Sequence, residues 1–174
     1  LALLHVSTRA LERLGIGAPT TVEFGFSTDG TSTISPVQRS TNAGFDIITS
    51  KERISSLRAS LIASEVPELN AAAQTLAAIQ AKRPRFPQEI NEKHLFSESG
   101  LRLALSFNKG CYVGQEVVEK IDAFGKLSRA LKTIKVSGPT PPQDFAVRTT
   151  EGAQAGEVVT HTPDESGNNL LCFA

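Results

Sequence analysis

Residues 108–116 read Asn-Lys-Gly-Cys-Tyr-Val-Gly-Gln-Glu, "NKGCYVGQE". The chain has only two cysteines, so one of them standing beside Lys109 and between Gly110 and Gly114 asks for a reason. Glycines grant the backbone positive φ and let another chain or a ligand come close. Val113, Val117, Val118 and Ile121 follow at helical spacing and predict a short amphipathic helix. Cys111 then stands about one turn ahead of that helix, where unpaired N–H groups and Lys109 would favour a reactive thiol. The competing reading is a small apolar side chain packed into a junction. Spacing alone leaves both readings open.

Downstream of Gly125 the chain turns to short β-like runs, "ALKTIKV", "FAVRT", "AGEVVTH" and "NNLLCFA". Gly/Pro clusters, "SGPTPPQD" and "TPDESGN", separate them, which predicts a small antiparallel sheet or barrel, incomplete at Ala174. Upstream, "LALLHV" suits a buried strand, and "STRALERLG" a helix capped by Ser7 and stopped at Gly15. "TVEFGF" (21–26), "STISPVQR" and "AGFDIIT" (43–49) read as an antiparallel meander, with Pro36 marking its own strand as an edge or a bulge. Ile54, Leu57, Leu61 and Ile62 define one helix face; Leu69, Ala72, Ala73, Leu76 and Ile79 define another. "KRPRFPQEINEKH", with its prolines, reads as an extended connection. This order predicts an α+β fold: a ferredoxin-like antiparallel sheet with helices on one face, then part of a small C-terminal β-barrel. The expected divisions are 1–104 for the α+β unit, 105–125 for the motif and junction helix, and 126–174 for the barrel.

Bulk composition excludes more than it selects. Lys+Arg and Asp+Glu both number 18, so net charge is zero and no strong attraction to nucleic acid or an anionic membrane follows. Lys82, Arg83 and Arg85 form only a small basic patch. No apolar run approaches the ~18 residues of a membrane-spanning helix. Cys111 and Cys172 give neither a metal-ligand spacing nor a disulfide framework, so no metal is expected and a reducing compartment is the simpler assumption. The chain has no methionine and opens on an apolar run, which reads as a strand already in progress at a cut or processed edge.

The string Lys109, Gly110, Cys111, Tyr112, Val113, Gly114, Gln115 and Glu116 resembles the K-G-C-[FY]-x-G-Q-E signature of the YgfZ-type proteins. These are the folate-binding, iron–sulfur maintenance branch of the glycine-cleavage T-protein (aminomethyltransferase) superfamily. "LALSFNKGCYVGQEVVEKIDAFGKLSRALKTIKV" and "GAQAGEVVTHTPDESGNNLLCFA" are similar to the family's motif segment and barrel strands, and "RPRFPQEINEKHLFSESGL" to the stretch before them. The resemblance covers residues 75–174 well and the first 75 in outline. It implies ferredoxin-like units and a barrel around a central pore holding tetrahydrofolate, of which this chain supplies the second unit and most of the barrel. The catalytic aspartate of the glycine-cleavage enzymes belongs to the missing first unit, so no catalytic group is assigned here.

By the same resemblance, Arg39 with "STNAGFDI" corresponds to the superfamily's arginine and G-[FY]-[DE]-[IL] segment, making Arg39 and Phe45 candidate folate contacts. The residue-level alternative for Arg39 is a charged strand end beside a turn. The family's R-x-E-x-G-x-P-x-x-G stretch, aligned on its proline, falls on Ala78, Gln80, Lys82, Pro84 and Pro87. A pterin's N–C–N edge donates hydrogen bonds, and a carboxylate accepts them more strongly than an amide. Gln80 would keep one such bond without the charge-assisted pair. His5 reads as a satisfied core or edge residue and His94 and His161 as solvated loop residues; a Cys111–His94 nucleophile pair lacks an orienting acid.

Two functions follow as expectations. One is a tetrahydrofolate-binding accessory factor in iron–sulfur cluster assembly or repair, with Cys111 as its thiol and iron–sulfur proteins or assembly factors as partners. The other is a degenerate homologue serving as a structural subunit of a larger complex. A tetrahydrofolate-dependent aminomethyltransferase ranks behind both. The mitochondrial matrix is the expected location, with bacterial cytoplasm or plastid as alternatives.

Overall fold

The computed structural model describes residues 1–19, 25–107, 109–125 and 127–174, without the side chains of Leu103 and Phe124. Asn108, just before the signature, and most of the strand expected at 21–26 therefore lie outside the described residues. The chain divides into two compact units, Leu1–Ala77 and Ala78–Ala174.

The first unit is an antiparallel sheet with helices on one face. Its strands are β1 (Ala2–Ser7), β2 (Ser27–Thr28), β3 (Thr33–Pro36) and β4 (Gly44–Thr49), in the order β1-β4-β3-β2. Of the meander expected from the sequence, the antiparallel β3–β4 pair is present, its described neighbour on the far side is the short β2, and β1 extends the sheet beyond β4. Pro36 does not sit in an edge strand: β3 is interior, and the proline is its last residue, beyond the stretch that β2 pairs. A residue without an N–H is tolerated where the ladder ends.

Period-2 alternation explains which face is buried. Phe45 and Ile47 of β4 pair across with Val6 and Leu4 of β1 and point into one apolar core. Helix α1 (Thr8–Arg13) and helix α2 (Lys51–Ala63) close that core with Ala10, Leu11 and Leu61. Ser7 caps α1 by accepting from the Ala10 N–H, and Gly15 follows the helix at φ +67°. Ser50 caps α2 by accepting from the Arg53 N–H. Leu57 and Leu61 form the buried stripe of α2, whereas Ile62, one position round the helix, is 59% exposed. A stripe one residue wide per turn leaves its immediate neighbour about 100° away in solvent. Helix α3 (Ala71–Gln80) begins after Asn70, whose Oδ1 accepts from the Ala73 N–H, so Leu69 lies outside it and is half exposed.

In the second unit, residues 78–104 group with the β-rich half and not with the first sheet. One side-chain pair holds the segment locally and another ties it to Arg129, further along the chain. Glu89 is fully buried and takes Arg85 in a bidentate pair, and Glu98 takes Arg129 through both carboxylate oxygens. The Leu131 N–H also donates to the Glu98 carbonyl at 2.8 Å. After two short 3-10 turns, Phe96–Ser99 and Arg102–Ala104, comes helix α4 (Gln115–Phe124). It starts later than the apolar spacing predicts, since Gly114 is its left-handed N-cap and Val113 is fully exposed outside it.

The remaining strands are β5 (Thr133–Ser137), β6 (Ala146–Arg148), β7 (Gln154–Glu157), β8 (Thr160–Pro163) and β9 (Asn169–Phe173). They form a sheet β5-β9-β8 and a bulged hairpin β6-β7, the partial barrel the sequence implied. "AGEVVTH" is two strands, broken at Val158-Val159, where the Val158 N–H turns to the Phe145 carbonyl and the Val159 N–H to Phe173. Val158, Leu170 and Cys172 are the core of this half.

Candidate functional site

The signature occupies a turn leading into α4. Gly114 requires its glycine, with φ at +86°, a region where a Cβ is strained. Gly110 does not: its φ is not positive, and no atom of the described residues lies within 4 Å of where a Cβ would stand. Of the positive φ expected at both glycines, Gly114 has it and Gly110 does not.

Tyr112 organises the loop. Its hydroxyl donates to the Ser106 carbonyl at 3.2 Å and its N–H to Gln115 Oε1 at 3.2 Å. Gln115 Nε2 donates in turn to Glu119 Oε1 at 2.6 Å, one turn along α4. The Lys109 ammonium sits 4.5 Å from the Tyr112 ring centroid, a cation–π contact that holds its charge over the ring. Glu116 is exposed in the first turn of α4, where a carboxylate complements the helix dipole.

Cys111 is exposed and Cys172 is buried in β9. Within the described residues Cys111 is not packed, and the buried cysteine is the other one. Burial pushes the Cys172 thiol up from its ordinary value.

Beside the loop runs a groove of about 350 Å³ whose walls include His94, Leu95, Phe96, Tyr112, Val117 and Ile121. His94 is half-buried there, its Nδ1 accepting from the Asn91 N–H at 3.2 Å. Cys111 is not part of this wall, so the groove does not assemble a Cys111–His94 pair. His161 is exposed and stacks on Phe145 with ring centroids 5.9 Å apart.

A second constellation lies in the first unit, on the sheet face turned away from the core. His5, Asp46 and Ser35 stand opposite one another across β1, β4 and β3. Arg39 bonds the Asp46 carboxylate through both its oxygens, Nε to Oδ1 at 2.8 Å and Nη2 to Oδ2 at 2.6 Å. His5 Nδ1 meets the same Oδ1 at 2.8 Å. The Asp46 side chain is only 7% exposed. Burial alone would raise its pKa, but the hydrogen bonds from Arg39 and His5 outweigh that and lower it to about 2.

The candidate folate contacts are used in three different ways. Arg39 stands on the solvent side, half exposed. Phe45 is 3% exposed and its ring belongs to the hydrophobic core, because its place in β4 turns it away from Asp46. Gln80, in the second unit, donates from Nε2 to Glu165 Oε1 at 3.0 Å. Asp46 and His5 escaped the sequence reading as a pair. The G-F-D-I segment carried the signal for Asp46, whereas only the β1–β4 register brings His5 to it.

Comparison with known proteins gives three results. No family model matches the chain. A chloroplastic protein of Arabidopsis thaliana named as a "putative transferase" is 26% identical over 125 residues, which cover 72% of this chain and 28% of that protein. The glycine cleavage system aminomethyltransferase T of Bartonella henselae superposes with a TM-score of 0.71 at 17% identity, over 95% of this chain and 47% of its own. The chain thus spans about half the length of that solved structure and a little over a quarter of the curated relative. Its fold is that of the glycine-cleavage T-protein.

Proposed function

We propose that this chain is part of a tetrahydrofolate-binding accessory factor for iron–sulfur enzymes, built on the T-protein fold, with Cys111 as its working thiol. One observation carries the reading: the complete K-G-C signature holds its cysteine in solvent, on a turn braced by Tyr112, in a chain of T-protein fold. Iron–sulfur proteins or their assembly factors are the partners this implies. The chloroplast address of the Arabidopsis relative favours a plastid over the mitochondrial matrix expected from the sequence.

Two tests bear on it. Titrating the full-length protein with tetrahydrofolate, read by ligand fluorescence, is expected to give saturable binding; a flat titration sinks the folate half. Replacing Cys111→Ala in cells is expected to lower the activity of iron–sulfur enzymes, and unchanged activities would remove the thiol role.

A structural-subunit reading has its own support. All three candidate folate contacts are engaged within the chain, Phe45 in the core, Gln80 with Glu165 and one edge of Arg39 with Asp46. Recovery of the native protein only within a large particle, together with a flat folate titration, would establish that reading instead. Aminomethyl transfer stands behind both, because no residue of this chain corresponds to the family's catalytic aspartate.

A further inference from the structure

The Arg39–Asp46–His5 cluster has an unused side. A guanidinium carries its N–H donors in a planar fork with more than one edge. Asp46 occupies the edge formed by Nε and Nη2. The outer edge at Nη1 has no hydrogen-bond partner among the described residues, and the Arg39 side chain is 50% exposed. Asp46 is itself fixed from the other strand by His5. The imidazole lies over Gly44, its Nε2 2.6 Å from the point where a Cβ would be, so the absence of a side chain there makes room for the ring. Orienting a guanidinium beforehand removes side-chain ordering from the cost of binding a carboxylate.

The same sheet face supplies an apolar neighbour. Leu3 and Ile48 face each other one row along from His5 and Asp46, flanked by Thr33 of β3. They are 48% and 38% exposed. An oriented donor edge beside a small apolar row suits a ligand with a flat or apolar body ending in a carboxylate.

We propose that the outer edge of Arg39 binds a ligand carboxylate over Leu3 and Ile48, with Asp46 and His5 as positioning residues. The ligand class rests on the folate reading above: the arylglutamate half of a reduced folate, not its pterin half, meets Arg39.

The two halves can be tested apart on the isotope-labelled chain by NMR. p-Aminobenzoylglutamate is expected to shift the Arg39 Nε–H signal and the Leu3 and Ile48 amides. A simple pterin and p-aminobenzamide, which lack the glutamyl carboxylates, are expected to leave them in place. Arg39→Gln should abolish the shifts, and Arg39→Lys should weaken binding about tenfold, because an ammonium cannot present the planar fork. Asp46→Asn should move the Arg39 Nε–H signal in the free protein and weaken the arylglutamate, with circular dichroism unchanged; Asp46→Glu should recover part of both. Equal binding by the native protein and Arg39→Gln overturns the proposal, as do shifts caused by the pterin alone. Intact tetrahydrofolate separates the two claims. If it binds with every shift remote from Arg39, the folate function stands and this site falls. If it fails to bind while p-aminobenzoylglutamate shifts Arg39, the site stands and the folate function falls.

Discussion

Arg39 and Asp46 meet through two near-parallel hydrogen bonds of 2.8 and 2.6 Å, with the carboxylate buried in the sheet and the guanidinium at its solvent side. A charge-assisted bidentate pair of this kind is stronger than a neutral hydrogen bond, and it makes the stability of the first unit depend on acid. Asp46 has its pKa lowered to about 2 from 3.8. The folded state therefore releases that proton more readily than the unfolded chain. The resulting stabilisation is complete above about pH 4 and is lost as pH falls from there towards 2, an amount on the order of 2 kcal/mol. Denaturant midpoints measured between pH 5 and pH 2.5 should fall for the native protein. They should fall less steeply for Asp46→Asn, which has no such proton to bind; equal slopes would contradict the assignment.

Gly44 is constrained by a neighbour and not by its own backbone, since its φ is outside the left-handed region. A Cβ there would stand 2.6 Å from His5 Nε2 and 2.7 Å from Cε1. Gly44→Ala must therefore push the imidazole away from Asp46 and break their 2.8 Å contact. The expected cost is about 1–3 kcal/mol, the range for disturbing a buried hydrogen-bonded group. The companion variant His5→Ala removes the nearer obstacle and leaves the Val6 carbonyl 3.0 Å from that Cβ. In that background Gly44→Ala should cost less than in the native protein, so the double-mutant cycle should show coupling between the two positions. Additive losses would mean that the strain lies elsewhere.

Much of this fold was legible because local chemistry and tertiary packing agree. Ser7 and Gly15 bracket α1 as capping rules require, and Phe45 and Ile47 alternate with Asp46 as a half-buried strand must. The errors came where a partner decides. Pro36 looked like an edge marker until the pairing showed it at the end of an interior strand. Val113 shares the apolar spacing of α4, yet the left-handed Gly114 starts the helix after it. Phe45 and Arg39 sit in one motif but serve the core and the surface, a division that only strand direction reveals. The His5–Asp46 pair depends on register between distant strands, which no short motif encodes.

The two cysteines should differ sharply towards a thiol reagent. Cys111 is exposed on a turn, whereas Cys172 is fully buried in β9 and its thiol is pushed up by burial. Attack needs both access and thiolate, and Cys172 is short of each. Mixing the folded protein with Ellman's reagent should release one equivalent quickly, and a second only as denaturant opens the barrel half. Cys111→Ser should remove the fast phase alone. A fast phase that survives in Cys111→Ser, or two fast equivalents in the native protein, would contradict the burial of Cys172.

The signature's two glycines offer a final contrast, because the sequence treats them alike and the structure does not. Gly114 holds φ at +86° as the N-cap of α4, while Gly110 has ordinary φ and nothing within 4 Å of the place a methyl group would take. Among the described residues neither site has a steric neighbour to strike, so backbone conformation separates them. Gly114→Ala should cost about 1–2 kcal/mol from left-handed strain. Gly110→Ala should be neutral, or stabilising by a few tenths of a kcal/mol through a less flexible unfolded chain. Chemical denaturation of the two variants measures the difference directly. If Gly110→Ala keeps full stability yet lowers iron–sulfur enzyme activity in cells, the glycine beside Cys111 is there to let a partner or ligand approach the thiol. If activity is also unchanged, Gly114 alone is required in this turn.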